Sequence, residues 1–185
     1  MTKTIKRIAV FGPESTGKTL LAERLATHFN APLVSEYARE FWDQHGVITL
    51  EDMVPIAREQ WRREDEALLR EVSVGRAARQ LIICDTDALT TMLWSDLLYG
   101  TCPDEVRRGA EQRAKHYSKY LLLDIDVPFT HDPQRCFPDP SDREKCMRLW
   151  RGALERRALP FELISGDWAE RERRAIAAIE TVLVG

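Results

Sequence analysis

The residues best suited to chemistry form one glycine-rich loop near the start of the chain. Residues 12–19 read Gly-Pro-Glu-Ser-Thr-Gly-Lys-Thr and fill every fixed position of the pattern G-x-x-x-x-G-K-[ST]. Gly12 and Gly17 let the backbone curl until successive N–H groups point inward, a geometry that binds phosphate oxygens. We therefore expect Lys18 to reach the β- and γ-phosphates of a nucleoside triphosphate and the Thr19 hydroxyl to ligate Mg²⁺.

The segments that flank this loop occur in the order that such a loop requires. Residues 5–11 end in an apolar run suited to a buried parallel strand. After the loop, Leu21, Leu25 and Phe29 recur at helical spacing. The positive N-terminal end of that helix adds to the phosphate site. The loop residues that we expect to contact the nucleotide are Gly12, Glu14, Ser15, Thr16, Gly17, Lys18 and Thr19.

Acidic residues follow two further strand candidates. Asp85 comes directly after the apolar run 81–84, and an acidic residue in this position beside a phosphate loop is typical of a Mg²⁺ ligand. Glu36 comes after the run 32–35. A kinase must deprotonate or orient an alcohol, and a carboxylate near the γ-phosphate can do so. Glu36 and Asp85 are therefore both candidate bases.

Two more polar residues near these carboxylates admit alternative roles. Asp87 either orients an acceptor hydroxyl or caps the next helix. Arg39 either pairs with phosphate charge or holds Glu36 in place, and a solvated helix start with ordinary ion pairs is the plainer alternative.

A polar, proline-containing segment after the fourth strand candidate is predicted to form a lid, at about residues 126–145. Arg135 and Arg143 in this segment could neutralise charge on the transferring phosphoryl group and exclude water, although a plain surface loop is the alternative. Trp168 follows the fifth strand candidate and either stacks on the adenine base or anchors the last helix.

The remaining pattern predicts one α/β domain over residues 1–185. Strand candidates at 5–11, 32–35, 81–84, 120–123 and 161–164 alternate with helical segments, including 51–74, 86–99 and 103–117. Such alternation predicts a five-stranded parallel sheet with helices on both faces, a P-loop NTPase fold of the nucleoside or nucleotide kinase type. Gln60 and Glu64 interrupt the apolar stripe of the helix at 51–74, either at its edge or facing a pocket.

The composition excludes several other classes. The chain has 185 residues, of which 44% are hydrophobic and 31% charged, and its net charge of −3 gives no general attraction to nucleic acid or to an anionic membrane. It contains no run long enough to cross a bilayer, so we expect a cytoplasmic protein. The oligomeric state is left open, with a homodimer as one option.

Several motifs together resemble a known family. Residues 12–19, Glu36-Tyr-Ala-Arg-Glu40, Asp85-Thr-Asp87, and Pro128-Phe129 with Asp132 and Arg135 are similar to the ribosylnicotinamide kinase domain of the bacterial NadR family, over about residues 7–183. The resemblance implies phosphorylation of the ribose 5′-hydroxyl of nicotinamide riboside by ATP. It also implies ATP and Mg²⁺ roles for Lys18, Thr19 and Asp85, a lid role for Arg135, and nucleoside-side roles for Glu36, Tyr37, Arg39 and Asp87.

The cationic pyridinium ring of nicotinamide riboside adds a physical requirement. Its pocket should offer aromatic faces and negative potential. The aromatic residues on segments expected around the strand ends are Tyr37, Trp42, Trp94, Tyr99 and Phe129, and Asp87 and Asp96 add negative charge. A core position is the plainer alternative for Trp42 and Trp94. Two alternatives stay open: a kinase for another nucleoside or a nucleotide, and an NTPase that acts as a regulatory switch without a small-molecule acceptor.

Overall fold

A single parallel sheet forms the centre of the molecule. The computed structural model describes residues 5–73 and 81–184. Within these ranges five strands form one sheet in the order β2-β3-β1-β4-β5, and every neighbouring pair is parallel. The strands are β1 (Lys6–Phe11), β2 (Leu33–Val34), β3 (Leu81–Asp85), β4 (Lys119–Leu123) and β5 (Phe161–Ile164). The predicted α/β fold with a five-stranded parallel sheet is confirmed.

Helices connect the strands and cover both faces of the sheet. They are α1 (Lys18–Phe29), α2 (Tyr37–His45), α3 (Met53–Ser73), α4 (Ala88–Tyr99), α5 (Asp104–Arg113), α6 (Pro140–Glu155) and α7 (Trp168–Val184), with a 3₁₀ turn at Ala114–His116. One buried cluster includes Phe11, Tyr120 and Trp150. The other includes Leu21 and Ile179, from α1 and α7. No helix in the described part of the chain has both the length and the apolar character needed to span a membrane.

The element boundaries differ from the predicted ones where local hydrogen bonds intervene. The helix expected over 86–99 begins at Ala88, because the Asp87 carboxylate accepts a hydrogen bond from Thr90 N at 3.0 Å and caps it. The helix expected over 103–117 ends at Arg113 and tightens into the 3₁₀ turn. Residue 74, the predicted end of the helix starting near 51, lies outside the described residues.

The strand register brings the chemically interesting segments together. Val10 in β1 pairs with Asp85 in β3, and Phe11 pairs with Leu122 in β4. The loop that follows Phe11 therefore lies between the carboxyl ends of β3 and β4. In an open parallel sheet this edge is where ligands bind.

Candidate active site

The glycine-rich loop has a backbone conformation that favours glycine at both of its fixed positions. Gly12 has φ +149°, and a Cβ there would lie 3.0 Å from the carbonyl oxygen of Leu123. Gly17 has φ +81°, and a Cβ there would lie 2.1 Å from Cη2 of Trp168. The close approach of Trp168 places an aromatic side chain directly against the phosphate loop, and part of this side chain is exposed. Its position suits either of its predicted roles.

The interior of the loop is organised around one carbonyl oxygen. The Thr16 hydroxyl donates to the Pro13 carbonyl at 2.9 Å, and the Lys18 ammonium donates to the same oxygen at 2.8 Å. Burial lowers the pKa of Lys18, while the carboxylates of Glu36 and Asp85 act in the opposite direction. The Lys18 side chain is therefore buried in a position where the Pro13 carbonyl oxygen and the two carboxylates replace part of its hydration.

Two carboxylates face this lysine. Burial raises the pKa of Glu36, and the nearby Asp85 adds to that shift while Lys18 opposes it. Burial also raises the pKa of Asp85, against a hydrogen bond with Thr19 and the charge of Lys18. Both carboxylates thus lie beside the phosphate loop with a perturbed pKa, as is common in active sites.

The residues predicted to hold Mg²⁺ fit such an ion. The Asp85 Oδ1 atom is buried without a hydrogen-bond partner in the described part of the chain, and the Thr19 hydroxyl lies beside the same carboxylate. Carboxylate and hydroxyl oxygens are suitable ligands for Mg²⁺, which usually takes one or two carboxylates together with substrate phosphates. Thr19 and Asp85 would hold the ion.

The predicted lid lies across the phosphate loop and is attached to it. The Ser15 hydroxyl oxygen accepts hydrogen bonds from Thr130 N at 2.7 Å and from Arg135 Nη1 at 3.2 Å. The Glu14 carboxylate accepts from Cys136 N at 2.9 and 3.1 Å. It also accepts from Phe137 N at 2.6 Å. Arg135 consequently lines the same cleft as Lys18.

Arg39 joins the lid to helix α2. Its Nη1 atom lies 3.0 Å from Oδ2 of Asp132. A second link runs from Gln134 Nε2 to Oδ1 of Asp43, also at 3.0 Å. The charge of Arg39 acts on Glu36, in line with one of the two roles predicted for this arginine. Its hydrogen bond is made instead to the Asp132 carboxylate in the predicted lid.

Eight predicted site residues lie outside the lining of the two cavities described below, namely Gly12, Thr16, Tyr37, Asp85, Asp87, Phe129, Arg143 and Trp168. The ring of Tyr37 packs under the guanidinium of Arg63, whose Cζ is 4.5 Å from the ring centroid. Asp87 is buried, caps α4 and accepts from the Tyr120 hydroxyl at 3.0 Å, so the structure places it in the capping role. Arg143 lies with its Cζ 5.9 Å from the ring centroid of Phe129 in the lid.

Two connected cavities lie at the carboxyl edge of the sheet. One, of about 310 Å³, follows the phosphate loop and contains Lys18, Thr19 and Arg135. The other, of about 370 Å³, lies between α2, α3, α4 and the lid, and we call it the acceptor cavity. The residues that line both are Glu14, Glu36, Arg39, Trp94 and Gln134.

The acceptor cavity is mostly apolar and aromatic. Trp42, Trp94 and Tyr99 contribute rings to its lining. The other residues that line it alone are Ala38, Ile48, Met53, Ile56, Gln60, Thr86, Thr90, Thr91, Leu98 and Cys136. Arg39 is the one cationic residue that the described chain contributes to this lining.

One residue that supports the site was missed by sequence reasoning. The Arg171 side chain is fully buried and donates to the backbone oxygens of Gly166 at 2.9 Å, Thr16 at 3.0 Å and Asp124 at 3.0 Å. It also pairs with the Asp126 carboxylate. A signal exists in the sequence, because the buried stripe of α7 consists of Arg171, Ala175, Ala178 and Ile179. An arginine in an apolar stripe indicates a buried, fully paired guanidinium.

Comparison with known proteins agrees with this geometry. Residues 7–171 match the model of a family described as AAA domain. The chain belongs to this family. It is also 24% identical over 183 residues to the trifunctional NAD biosynthesis/regulator protein NadR of Escherichia coli (strain K12), a match that covers 96% of this chain and 42% of NadR.

Solved structures of NadR share the fold of this AAA domain. NadR in complex with NR has a TM-score of 0.74 at 24% identity, over 96% of this chain and 51% of that one. NadR in complex with NAD and AMP-PNP has a TM-score of 0.72 at 22% identity, over 96% and 49% of the two chains. The chain thus has a NadR-like P-loop kinase fold, and it spans about half the length of these relatives.

Proposed function

We propose that this chain transfers the γ-phosphoryl group of ATP to the 5′-hydroxyl of nicotinamide riboside, giving nicotinamide mononucleotide and ADP. The position of Glu36 is the observation that carries the proposal. This carboxylate lines both the phosphate cleft and the acceptor cavity, and it interacts electrostatically with Lys18 and Asp85. A group at such a junction can take the proton of an alcohol that attacks the γ-phosphorus.

The reaction requires positioning and charge stabilisation more than covalent chemistry. The bond from the γ-phosphorus to the β–γ bridging oxygen breaks, a bond to the acceptor hydroxyl oxygen forms, and the hydroxyl proton passes to Glu36 or Asp85. Lys18 and Arg135, which line the phosphate cleft, stabilise negative charge on the phosphoryl group. When bound, Mg²⁺ supplies further positive charge along the triphosphate.

The chemistry of the acceptor cavity fits the proposed nucleoside. Trp42, Trp94 and Tyr99 offer aromatic faces, and Glu14 and Glu36 supply negative potential. A cationic pyridinium ring is attracted by both features. The bound NR in the NadR structure of similar fold supports the same substrate.

The same cavity favours a nucleoside over a nucleotide as acceptor. A nucleoside monophosphate carries a phosphate that must be neutralised by cationic side chains. Arg39 is the one cation in the described lining, and its guanidinium is already paired with Asp132 at 3.0 Å. If nicotinamide riboside is not the substrate, another nucleoside is therefore the second candidate. A regulatory switch would need no acceptor cavity of this kind.

The decisive experiment follows ATP turnover with and without nicotinamide riboside, in the presence of Mg²⁺, and quantifies ADP and nicotinamide mononucleotide together. We expect the two products in equal amounts. If no nicotinamide mononucleotide forms while uridine, thymidine or a nucleoside monophosphate is phosphorylated, the chain is a kinase with a different substrate. If a protein partner stimulates ATP hydrolysis and no acceptor does so, the result would favour the regulatory switch.

A further inference from the structure

Two buried polar groups in the wall of the acceptor cavity have no hydrogen-bond partner among the residues that the structure describes. Gln60 and Thr86 are 2% and 3% exposed, and both line the cavity. Neither Gln60 Nε2 nor Thr86 Oγ1 makes a hydrogen bond within the described part of the chain. An unpaired buried donor is costly, so such groups in a ligand cavity indicate a polar atom of the ligand.

The Gln60 amide already makes one hydrogen bond, and this bond determines whether its oxygen or its NH₂ group is left to bind a ligand. Gln60 Oε1 accepts from Tyr37 N at 2.8 Å. A backbone N–H can only donate, so the amide oxygen must face Tyr37 and the NH₂ group must remain as the free donor. The group that satisfies Gln60 is therefore a hydrogen-bond acceptor.

Thr86, which lines the same cavity, has an unfavourable backbone conformation. Its φ is +81°, a region that β-branched residues rarely adopt. It lies between Asp85, which ends β3, and Asp87, which caps α4. Local strain of this kind is found mostly at functional sites. The Thr86 hydroxyl can either donate or accept.

Both free groups are close in sequence or in space to the reacting carboxylates. Gln60 is bonded to the residue that follows Glu36, and Thr86 follows Asp85. The hydroxyl to be phosphorylated must lie at those carboxylates, so the part of a nucleoside nearest to it is its sugar ring. A ring hydroxyl offers both an acceptor oxygen and a donor hydrogen, which matches the pair.

We propose that Gln60 and Thr86 each bind a 2′- or 3′-hydroxyl of the acceptor and so select ribonucleosides over deoxyribonucleosides. The inference rests on the proposed nucleoside kinase function and goes beyond it by assigning the residues that recognise the sugar. It does not depend on which base the acceptor carries.

The test compares ribonucleosides with their deoxy counterparts in variants that remove single hydrogen-bonding groups. The variants are Thr86→Val, which keeps the branched shape without the hydroxyl; Thr86→Ser, which restores the hydroxyl; and Gln60→Glu, which keeps an oxygen for Tyr37 N. The probes are nicotinamide riboside, adenosine and uridine with their 2′-deoxy and 3′-deoxy analogues. The readouts are kcat/KM and the Kd from calorimetry, and thermal melting verifies folding.

We expect the parent enzyme to prefer the ribonucleoside by about ten-fold per hydrogen bond. Thr86→Val should lower kcat/KM for the ribonucleoside by about the same factor while changing the value for one deoxy analogue less than about two-fold. Thr86→Ser should restore the preference, and Gln60→Glu should reduce it. Equal losses on ribose and deoxyribose substrates would overturn the proposal.

The outcomes separate this inference from the proposed substrate. If adenosine or uridine is phosphorylated and nicotinamide riboside is not, the substrate is wrong, while the sugar preference is tested on the active nucleoside. If nicotinamide riboside is phosphorylated but Thr86→Val leaves its advantage over the deoxy analogue intact, the function stands and the inference fails. A parent protein that binds no nucleoside of either sugar overturns both.

Discussion

The guanidinium of Arg171 in the last helix donates a hydrogen bond to the backbone oxygen of Thr16 in the phosphate loop, 3.0 Å away and 155 residues apart in sequence. The same buried group bonds Gly166 O, before the helix, and Asp124 O, after β4. One side chain thus fixes the phosphate loop to the segments that follow two strands. It also lies 5.7 Å from the ring centroid of Trp168, which packs on Gly17.

The first prediction concerns these hydrogen bonds of Arg171. Arg171→Lys keeps the charge but cannot satisfy all the acceptors, and each lost charge-assisted hydrogen bond costs about 1.5–3 kcal/mol. We expect a lower melting temperature and a KM for ATP raised at least about ten-fold, with a smaller change in kcat. Steady-state kinetics and thermal denaturation measure both. Arg173→Lys, on the exposed side of α7 with Glu170 as partner, is the matched control and should change neither. If the Arg171→Lys protein is less stable but its KM for ATP is unchanged, the role of Arg171 is purely structural.

The second prediction concerns the loop lysine. Lys18→Ala removes a cation whose hydrogen bond in the described chain is to Pro13 O, so the fold should persist. Turnover should fall by about a hundred-fold or more, as for other preorganised charge-stabilising groups. The coupled ADP assay measures turnover, and circular dichroism verifies the fold. Lys145→Ala, at an exposed ion pair with Asp142, serves as the control. A folded Lys18→Ala protein with parental activity would contradict the proposed function.

Some of this site could be predicted from the sequence because the information is local. The phosphate loop depends on residue types within eight positions, and the apolar runs before Gly12 and before Asp85 are typical of central strands. These two buried runs pair as β1 and β3, and their register places Asp85 opposite Val10, close to the start of the loop.

Other features depend on contacts between segments far apart in sequence, which no local pattern specifies. The sequence leaves open whether Gln60 and Glu64 lie at the edge of the apolar stripe or face a pocket. The structure buries both, and Gln60 lines the acceptor cavity. Gln60 finds its partner at Tyr37 N, and Glu64 lies near cations in β1 and α5. The loop–lid bonds of Glu14 span 122 residues to Cys136, a pairing set by tertiary packing alone.

The third prediction identifies the general base by pH. Burial raises the pKa of Glu36, and a base must be ionised, so kcat/KM should fall as the pH drops through that raised value. Glu36→Gln should lose this acidic limb together with about 10²–10⁴-fold in kcat. Glu40→Gln, an exposed residue of α2 paired with Arg63, is the control. Retention of the acidic limb in Glu36→Gln would assign the proton transfer to Asp85.

The fourth prediction concerns the attachment of the lid. Glu14→Ala removes the acceptor of the Cys136 and Phe137 amides, so these N–H groups should exchange with solvent about ten-fold faster. Hydrogen exchange followed by mass spectrometry of the peptide around residues 130–138 measures the effect. The amides of α4, which Glu14 does not bond, are an internal control. We also expect a higher KM for the acceptor, because Arg135 and Gln134 lose their support. Unchanged exchange in the lid peptide would show that other contacts hold it.

The fifth prediction concerns a buried carboxylate outside the active site. The Glu64 side chain is 1% exposed, and its carboxylate lies 3.8 Å from Arg7 Nη1 and 3.5 Å from Arg113 Nη2. Burial raises its pKa to about 7, against these two cations. Because the native state binds this proton more tightly than the unfolded state, the free energy of unfolding should fall as the pH rises from about 4.5 to about 7 and then level off.

Glu64→Gln removes this titration, so its stability relative to the parent should increase by roughly 2–4 kcal/mol across the same window. Urea denaturation at intervals from pH 4.5 to 8 measures the difference between the two proteins. Glu66→Gln, two residues along α3 at an exposed ion pair with Arg62, should change the free energy of unfolding by less than about 1 kcal/mol. Parallel pH profiles for the parent and Glu64→Gln would show that Arg7 and Arg113 keep Glu64 ionised throughout, and that their attraction outweighs the loss of hydration.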